Sequence, residues 1–173
     1  IQDLEVDLPK IPVLVLSGFL GAGKTSLLCR ILEEGPGDVL AVANDVASVN
    51  IDAELVKSRS ANTIQLTNGC ACCVLGDDLD EILSDIHRRP VVPDAIILEA
   101  SGISDPISLA QTISRYDAMM LDAFITVVDP TSQPHLFSDR LVAPILRRQL
   151  DAAHIIAISK TTTETDLTIL LSL

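Results

Sequence analysis

The residues best suited to chemistry stand in an eight-residue run, Gly18-Phe19-Leu20-Gly21-Ala22-Gly23-Lys24-Thr25. This is the spacing G-x-x-x-x-G-K-[ST], in which glycines let backbone N–H groups close on phosphate oxygens that a Cβ would hold off. Gly18, Gly21, Ala22, Gly23 and Ser26 are expected to line that cradle. Lys24 reaches the β- and γ-phosphates, which makes it a candidate catalytic residue, and the Thr25 hydroxyl faces Mg²⁺. The alternative, a glycine turn that binds nothing, does not account for the flanking pattern: an apolar run before the loop and an amphipathic stretch after it.

A second cluster is Asn68-Gly69-Cys70-Ala71-Cys72-Cys73. Asn-Gly favours a tight turn, and thiolates suit Zn²⁺ and other thiophilic ions. Cys70, Cys72 and Cys73 would supply three ligands and leave a fourth position open, as a carrier that releases its ion requires. Burial as small hydrophobes, or a redox pair, is the competing reading. Cys29 stands alone after the phosphate loop and reads as a small core residue. His87, His135 and His154 show no ligand spacing; His154 opens a run that reads as a buried strand.

A third group is Glu99-Ala100-Ser101-Gly102, after an apolar run. An acid at a strand tip facing phosphates can hold Mg²⁺, so Glu99 is both a metal candidate and a catalytic candidate. Gly102, three residues on, can donate its N–H to a γ-phosphate. The polar segment Asn44–Asp52 fits a switch, with Asp45 as its acid for the metal sphere; an ordinary polar loop is the alternative.

Elements that would position these groups alternate along the chain. Strands are expected at 11–17, 39–43, 63–66, 94–98, 124–128 and 155–158. Helices are expected after the phosphate loop up to Gly35, from about Leu79 to Pro90, over 106–115 and over 144–152. Near-continuous apolar strands separated by helices imply an α/β fold with a mostly parallel central sheet between two helical layers, the three-layer sandwich of P-loop NTPases. Ligands in such sheets bind outside the carboxyl ends of the strands. The expected organisation is an acidic arm over 1–10 and one nucleotide-binding domain over 11–173.

Bulk properties narrow the partners. The net charge of −12 argues against nucleic-acid backbone binding. No apolar run approaches the roughly 18 residues of a membrane span. The segment Ile1–Asp7 is acidic, unlike a secretory signal. Three thiols packed so closely cannot all pair internally, which fits a reducing cytoplasm. The chain starts at Ile1, so a trimmed start is expected.

These motifs, in this order, resemble those of the CobW-type metallochaperone GTPases, relatives of the urease- and hydrogenase-maturation GTPases. The resemblance runs from about Ile11 to Lys160. It rests on Ser17–Thr25, Asn68–Cys73, Glu99–Gly102 with Asp105-Pro106, and the switch-like Asn44–Asp52. It implies GTP and Mg²⁺ at the phosphate loop and zinc, or cobalt or iron, on the cysteines. It further implies hydrolysis coupled to delivery of the metal to a client metalloprotein. Ser159 and Lys160 match the start of the family's guanine-reading Asn/Ser/Thr-Lys-x-Asp, but Thr162 stands where the base-reading Asp belongs, and Asp166 lies four residues on. Family members also continue into a further C-terminal domain, expected to be absent here. Either the chain is a fragment, or the tail 167–173 replaces the missing edge. Two other functions fit parts of the pattern: an ATP-dependent kinase or ligase on the same fold, and a nucleotide-independent metal-binding scaffold.

Overall fold

The computed structural model describes residues 9–35, 38–43, 63–65, 75–131 and 133–162. The branched apolar run Ile11–Ser17 forms strand β1, and the chain then enters the glycine loop and helix α1 (Lys24–Glu34). Next come β2 (Val39–Ala43), β3 (Thr63–Gln65), α2 (Leu75–His87), β4 (Ala95–Glu99) and α3 (Pro106–Ile113). Strand β5 (Met119–Val128), a short α4 (Gln133–Leu136), α5 (Ala143–Asp151) and β6 (Ile155–Ile158) complete the described elements.

The strands form one six-stranded sheet in the order β3-β2-β4-β1-β5-β6, and every pairing is parallel. Strand β1 lies inside the sheet, with Leu16 opposite Glu99 of β4 on one side and Ile125 of β5 on the other. Side-chain alternation sends Val13 and Val15 into a core with Leu79, Leu83, Ile86 and Ile113, beneath α2 and α3. Leu16 points the other way and packs with Leu28 of α1, Ala41 and Ile97. Both faces of β1 are therefore dry, which is why its sequence is an unbroken apolar run. The three-layer α/β sandwich expected from the sequence is the fold observed.

Several boundaries differ from expectation. Strand β5 starts at Met119, five residues before the apolar run at Phe124. Its first half alternates in exposure and holds its place by pairing with Ile11–Val13. Helix α3 stops at Ile113, where the Ser114 N–H turns back to the Ala110 carbonyl. Strand β4 runs from Ala95 through Glu99, one residue later than expected at both ends. Strand β6 is not buried: Ile155 and Ile156 are each 53% exposed, and His154 before them is exposed too. Among the described residues it pairs on one side only, with β5. Cys29 is half-buried rather than a core residue. Burial, together with the carboxylates of Glu33 and Glu99, pushes its thiol pKa up.

Candidate functional site: the glycine loop and its neighbours

Because all strands run the same way, the loops leaving β1, β4, β5 and β6 meet at one edge of the sheet. The glycine loop is shaped by three positive φ angles: Gly18 at 129°, Gly21 at 72° and Gly23 at 101°. These are conformations that side chains with a Cβ resist. At Gly18 space is also lacking, since a Cβ would stand 2.3 Å from the Val127 carbonyl oxygen of β5. Gly23 caps α1, so the helix begins at Lys24 and aims its first, unpaired N–H groups into the loop. Ala22 is buried beneath the loop and Ser26 lies exposed on the first turn.

Lys24 is only 7% exposed, and its ammonium donates to the carbonyls of Gly18 at 2.9 Å and Phe19 at 3.1 Å. Burial lowers its pKa, and the nearby Glu99 carboxylate partly restores it. The Thr25 hydroxyl donates to Glu99 Oε1 at 2.5 Å, and Glu99 is 5% exposed. A hydroxyl and a carboxylate sharing one hydrogen bond beside an anion cradle form the hard oxygen donor set that Mg²⁺ takes together with phosphate oxygens. The residues present thus fit a magnesium-bound polyphosphate.

Gly102 lies against this loop. A Cβ there would meet the Leu20 backbone nitrogen at 2.6 Å, so only glycine permits the approach. On the other side, Ser159 donates its hydroxyl to the Ala22 carbonyl at 2.6 Å. Lys160 donates to the Gly21 carbonyl and to Asp129 Oδ2, both at 2.8 Å. Lys160 holds φ at 52°, left-handed backbone that a lysine adopts at a cost of about 1–3 kcal/mol and that the surrounding contacts must maintain. Thr162 follows at the position where a base-reading carboxylate would stand.

The structure therefore gathers Gly18, Gly21, Ala22, Gly23, Lys24, Thr25, Ser26, Glu99, Gly102, Ser159 and Lys160 at one edge of the sheet. Asp45, Cys70, Cys72 and Cys73 lie outside the described residues. Among the described residues no group of three or more His, Cys, Asp or Glu could hold a metal ion. Two participants escaped the sequence reading. Asp129 sits 2% exposed at the tip of β5 and orients Lys160, and Gln149 of α5 reaches the Gly102 loop. The acid after the apolar Ile125–Val128 run was a legible signal for Asp129; Gln149 had none.

The family model described as CobW/HypB/UreG, nucleotide-binding domain, matches residues 12–170. The chain belongs to this family. It is 36% identical over 143 residues to the zinc-regulated GTPase metalloprotein activator 1 of Dictyostelium discoideum, covering 69% of this chain and 30% of that protein. It is likewise 36% identical over 128 residues to the zinc chaperone YjiA of Escherichia coli K12, covering 69% of this chain and 40% of the relative. The chain thus spans well under half the length of these two relatives. The crystal structure of the hydrogenase maturation factor HypB from Archaeoglobus fulgidus aligns with a TM-score of 0.54 at 19% identity. That alignment covers 86% of this chain and 65% of HypB, and it supports the fold alone. No helix among the described residues is long and apolar enough to cross a membrane.

Proposed function

We propose that this chain is the nucleotide-hydrolysing part of a metallochaperone, a GTPase that couples cleavage of the β–γ phosphoanhydride to the handling of zinc. The observation that carries the reading is the Thr25–Glu99 hydrogen bond beside a glycine cradle whose lysine is buried. In the nucleotide complex, phosphate oxygens replace the Gly18 and Phe19 carbonyls as acceptors for Lys24. Thr25 and Glu99 would hold the Mg²⁺. The metal's contribution is to neutralise charge on the β- and γ-phosphates. Gly102 contacts the γ-phosphate through its N–H, and Ser159 and Lys160 flank the base.

The zinc reading draws on the names of the relatives and on the Cys70-Ala71-Cys72-Cys73 spacing. Sheet order supports communication between the two sites. Strand β3, from which the chain continues toward Cys70, ends at the same edge as β1 and lies three strands away. At 4.7–4.9 Å per strand that is about 14 Å. Cys70 is the fifth residue after Gln65, a stretch that can span roughly 17 Å when extended. A cysteine loop over the phosphates is within the chain's reach, and Asp45 follows two residues after Ala43, the end of β2, which lies two strands from β1. Delivery to a client metalloprotein in the cytoplasm completes the proposal.

Guanine preference is the weakest link in this family pattern, because Thr162 offers no carboxylate. We expect base discrimination poorer than a Ser-Lys-x-Asp sequence would give. The test is a nucleotide titration with and without stoichiometric Zn²⁺. Coupling is reciprocal, so metal that tightens nucleotide binding is itself held more tightly by the nucleotide-bound protein. Identical GTP affinity in both titrations removes the coupling, and no GTP binding in either removes the GTPase.

A further inference from the structure

Helix α5 carries one polar side chain that turns inward. Gln149 is 1% exposed, and its amide nitrogen donates to the Gly102 carbonyl at 3.1 Å and to the Ser104 carbonyl at 3.3 Å. The amide cannot be turned over, since its oxygen would then face two carbonyl oxygens. The backbone at Gln149 is itself fixed, because its carbonyl accepts the Thr126 hydroxyl of β5 at 2.9 Å. The loop is otherwise held by the Ala100 N–H on the Leu16 carbonyl at 2.9 Å and by its own Ser104 N–H on the Ser101 carbonyl at 3.0 Å. The buried atoms Ser101 Oγ, Ser104 Oγ, Asp105 Oδ1 and Gln149 Oε1 have no hydrogen-bond partner among the described residues. Gly102 is thereby pressed between Leu20 of the glycine loop and the Gln149 amide.

We infer that Gln149 is a positioning residue: by holding the Gly102 and Ser104 carbonyls it fixes how the Gly102 loop meets the terminal phosphate, and so sets the preference for nucleoside triphosphate over diphosphate. The inference rests on the nucleotide reading above. Rotating the Gly102–Ile103 peptide breaks a hydrogen bond made by a side chain that is 1% exposed, and so leaves a buried donor unsatisfied. The loop therefore presents one geometry, and only a ligand that reaches Gly102 is affected by it. A diphosphate, ending at the β-position over Lys24, is not.

The test compares binding of GDP and of a non-hydrolysable GTP analogue, in Mg²⁺, to the parent and to Gln149→Met, which keeps the volume and removes both donors. The expected result is a loss of about fivefold or more in analogue affinity, the scale of one buried hydrogen bond, with GDP affinity unchanged. Should Gln149→Met not fold, Gln149→Asn, one methylene too short to reach both carbonyls, serves in its place with the same expectation. Ile86→Val, in the core beneath α2, is the structural control: it lowers the melting temperature without altering the analogue-to-GDP ratio. An unchanged ratio in the Gln149 variants, whether both affinities fall or neither does, overturns this inference alone. A parent that binds neither nucleotide overturns the nucleotide reading, and this inference with it.

Discussion

The Thr25 hydroxyl and the Glu99 carboxylate, 74 residues apart in sequence, share a 2.5 Å hydrogen bond. It forms because β1 and β4 are neighbours in register, so the first turn after β1 faces the last residue of β4. Thr25→Ala and Glu99→Gln should each weaken binding of a GTP analogue in Mg²⁺ by about tenfold or more, the range of a charge-assisted bond. In EDTA both variants should match the parent. Isothermal titration with and without the metal checks this, and an equal loss in EDTA would assign the pair to the fold rather than to metal binding.

Lys24 gives a pH prediction. Burial holds its ammonium pKa below the ordinary lysine value of 10.5. Between the folded-state pKa and 10.5 the unfolded chain binds more protons than the folded one, so this residue's contribution to stability rises with pH across that window. Cys29 and Tyr116 are shifted upward and oppose the trend, so the comparison must be made against a variant. Relative to Lys24→Met, the parent's melting temperature should climb as pH is raised toward 10.5. Lys24→Met should also lose most triphosphate affinity while keeping the fold. A difference between the two proteins that is flat with pH would mean that the ammonium is not desolvated.

Gly18→Ala should destabilise by at least about 2 kcal/mol. Its Cβ would collide with the Val127 carbonyl, and φ at 129° is strained for any residue with a Cβ. At Gly21, apart from its chain neighbours, no atom of the described residues lies within 4 Å of an added Cβ, and the backbone conformation is what resists Gly21→Ala. Denaturant melts of the two variants should therefore rank Gly18→Ala as the more harmful.

Thr162→Asp restores the Ser-Lys-x-Asp spacing after β6. It should raise the ratio of GTP to ATP affinity by about tenfold or more, because a carboxylate accepts hydrogen bonds from the guanine N1–H and exocyclic amine, whereas adenine presents its N1 lone pair there. Competition between the two nucleotides measures this, and an unchanged ratio would mean that the base is read elsewhere.

Cys72→Ser removes one of three proposed thiolate ligands and should weaken zinc binding by at least about tenfold while leaving GDP affinity intact. Zinc competition against a chromophoric chelator provides the readout. Full zinc affinity in the variant would take the site away from the cysteine run.

Much of this arrangement was legible before any coordinates. The apolar runs at Ile11–Ser17 and Val39–Ala43 marked strands because both of their faces are buried, and Gly35 marked the end of α1. The motif residues from Gly18 to Thr25 and Glu99 to Gly102 carried their spacing with them. What was missed had no such local signature. Met119–Ala123 is strand because β1 lends it hydrogen-bond partners, although its own pattern is half polar. The isoleucines of β6 read as buried from hydropathy alone, yet no strand among the described residues pairs with its outer edge. Gln149 carries no sequence signal beyond its place in the helix expected over 144–152; only the fold brings the Gly102 loop to meet it.

Ser159 ties the loop after β6, where we propose the base sits, to Ala22 in the middle of the glycine loop. In the proposed nucleotide complex, grip on the nucleobase and posture of the phosphates would consequently not be separable. A mismatched purine would be felt in the rate of hydrolysis as well as in occupancy, and discrimination between nucleotides would be partly kinetic.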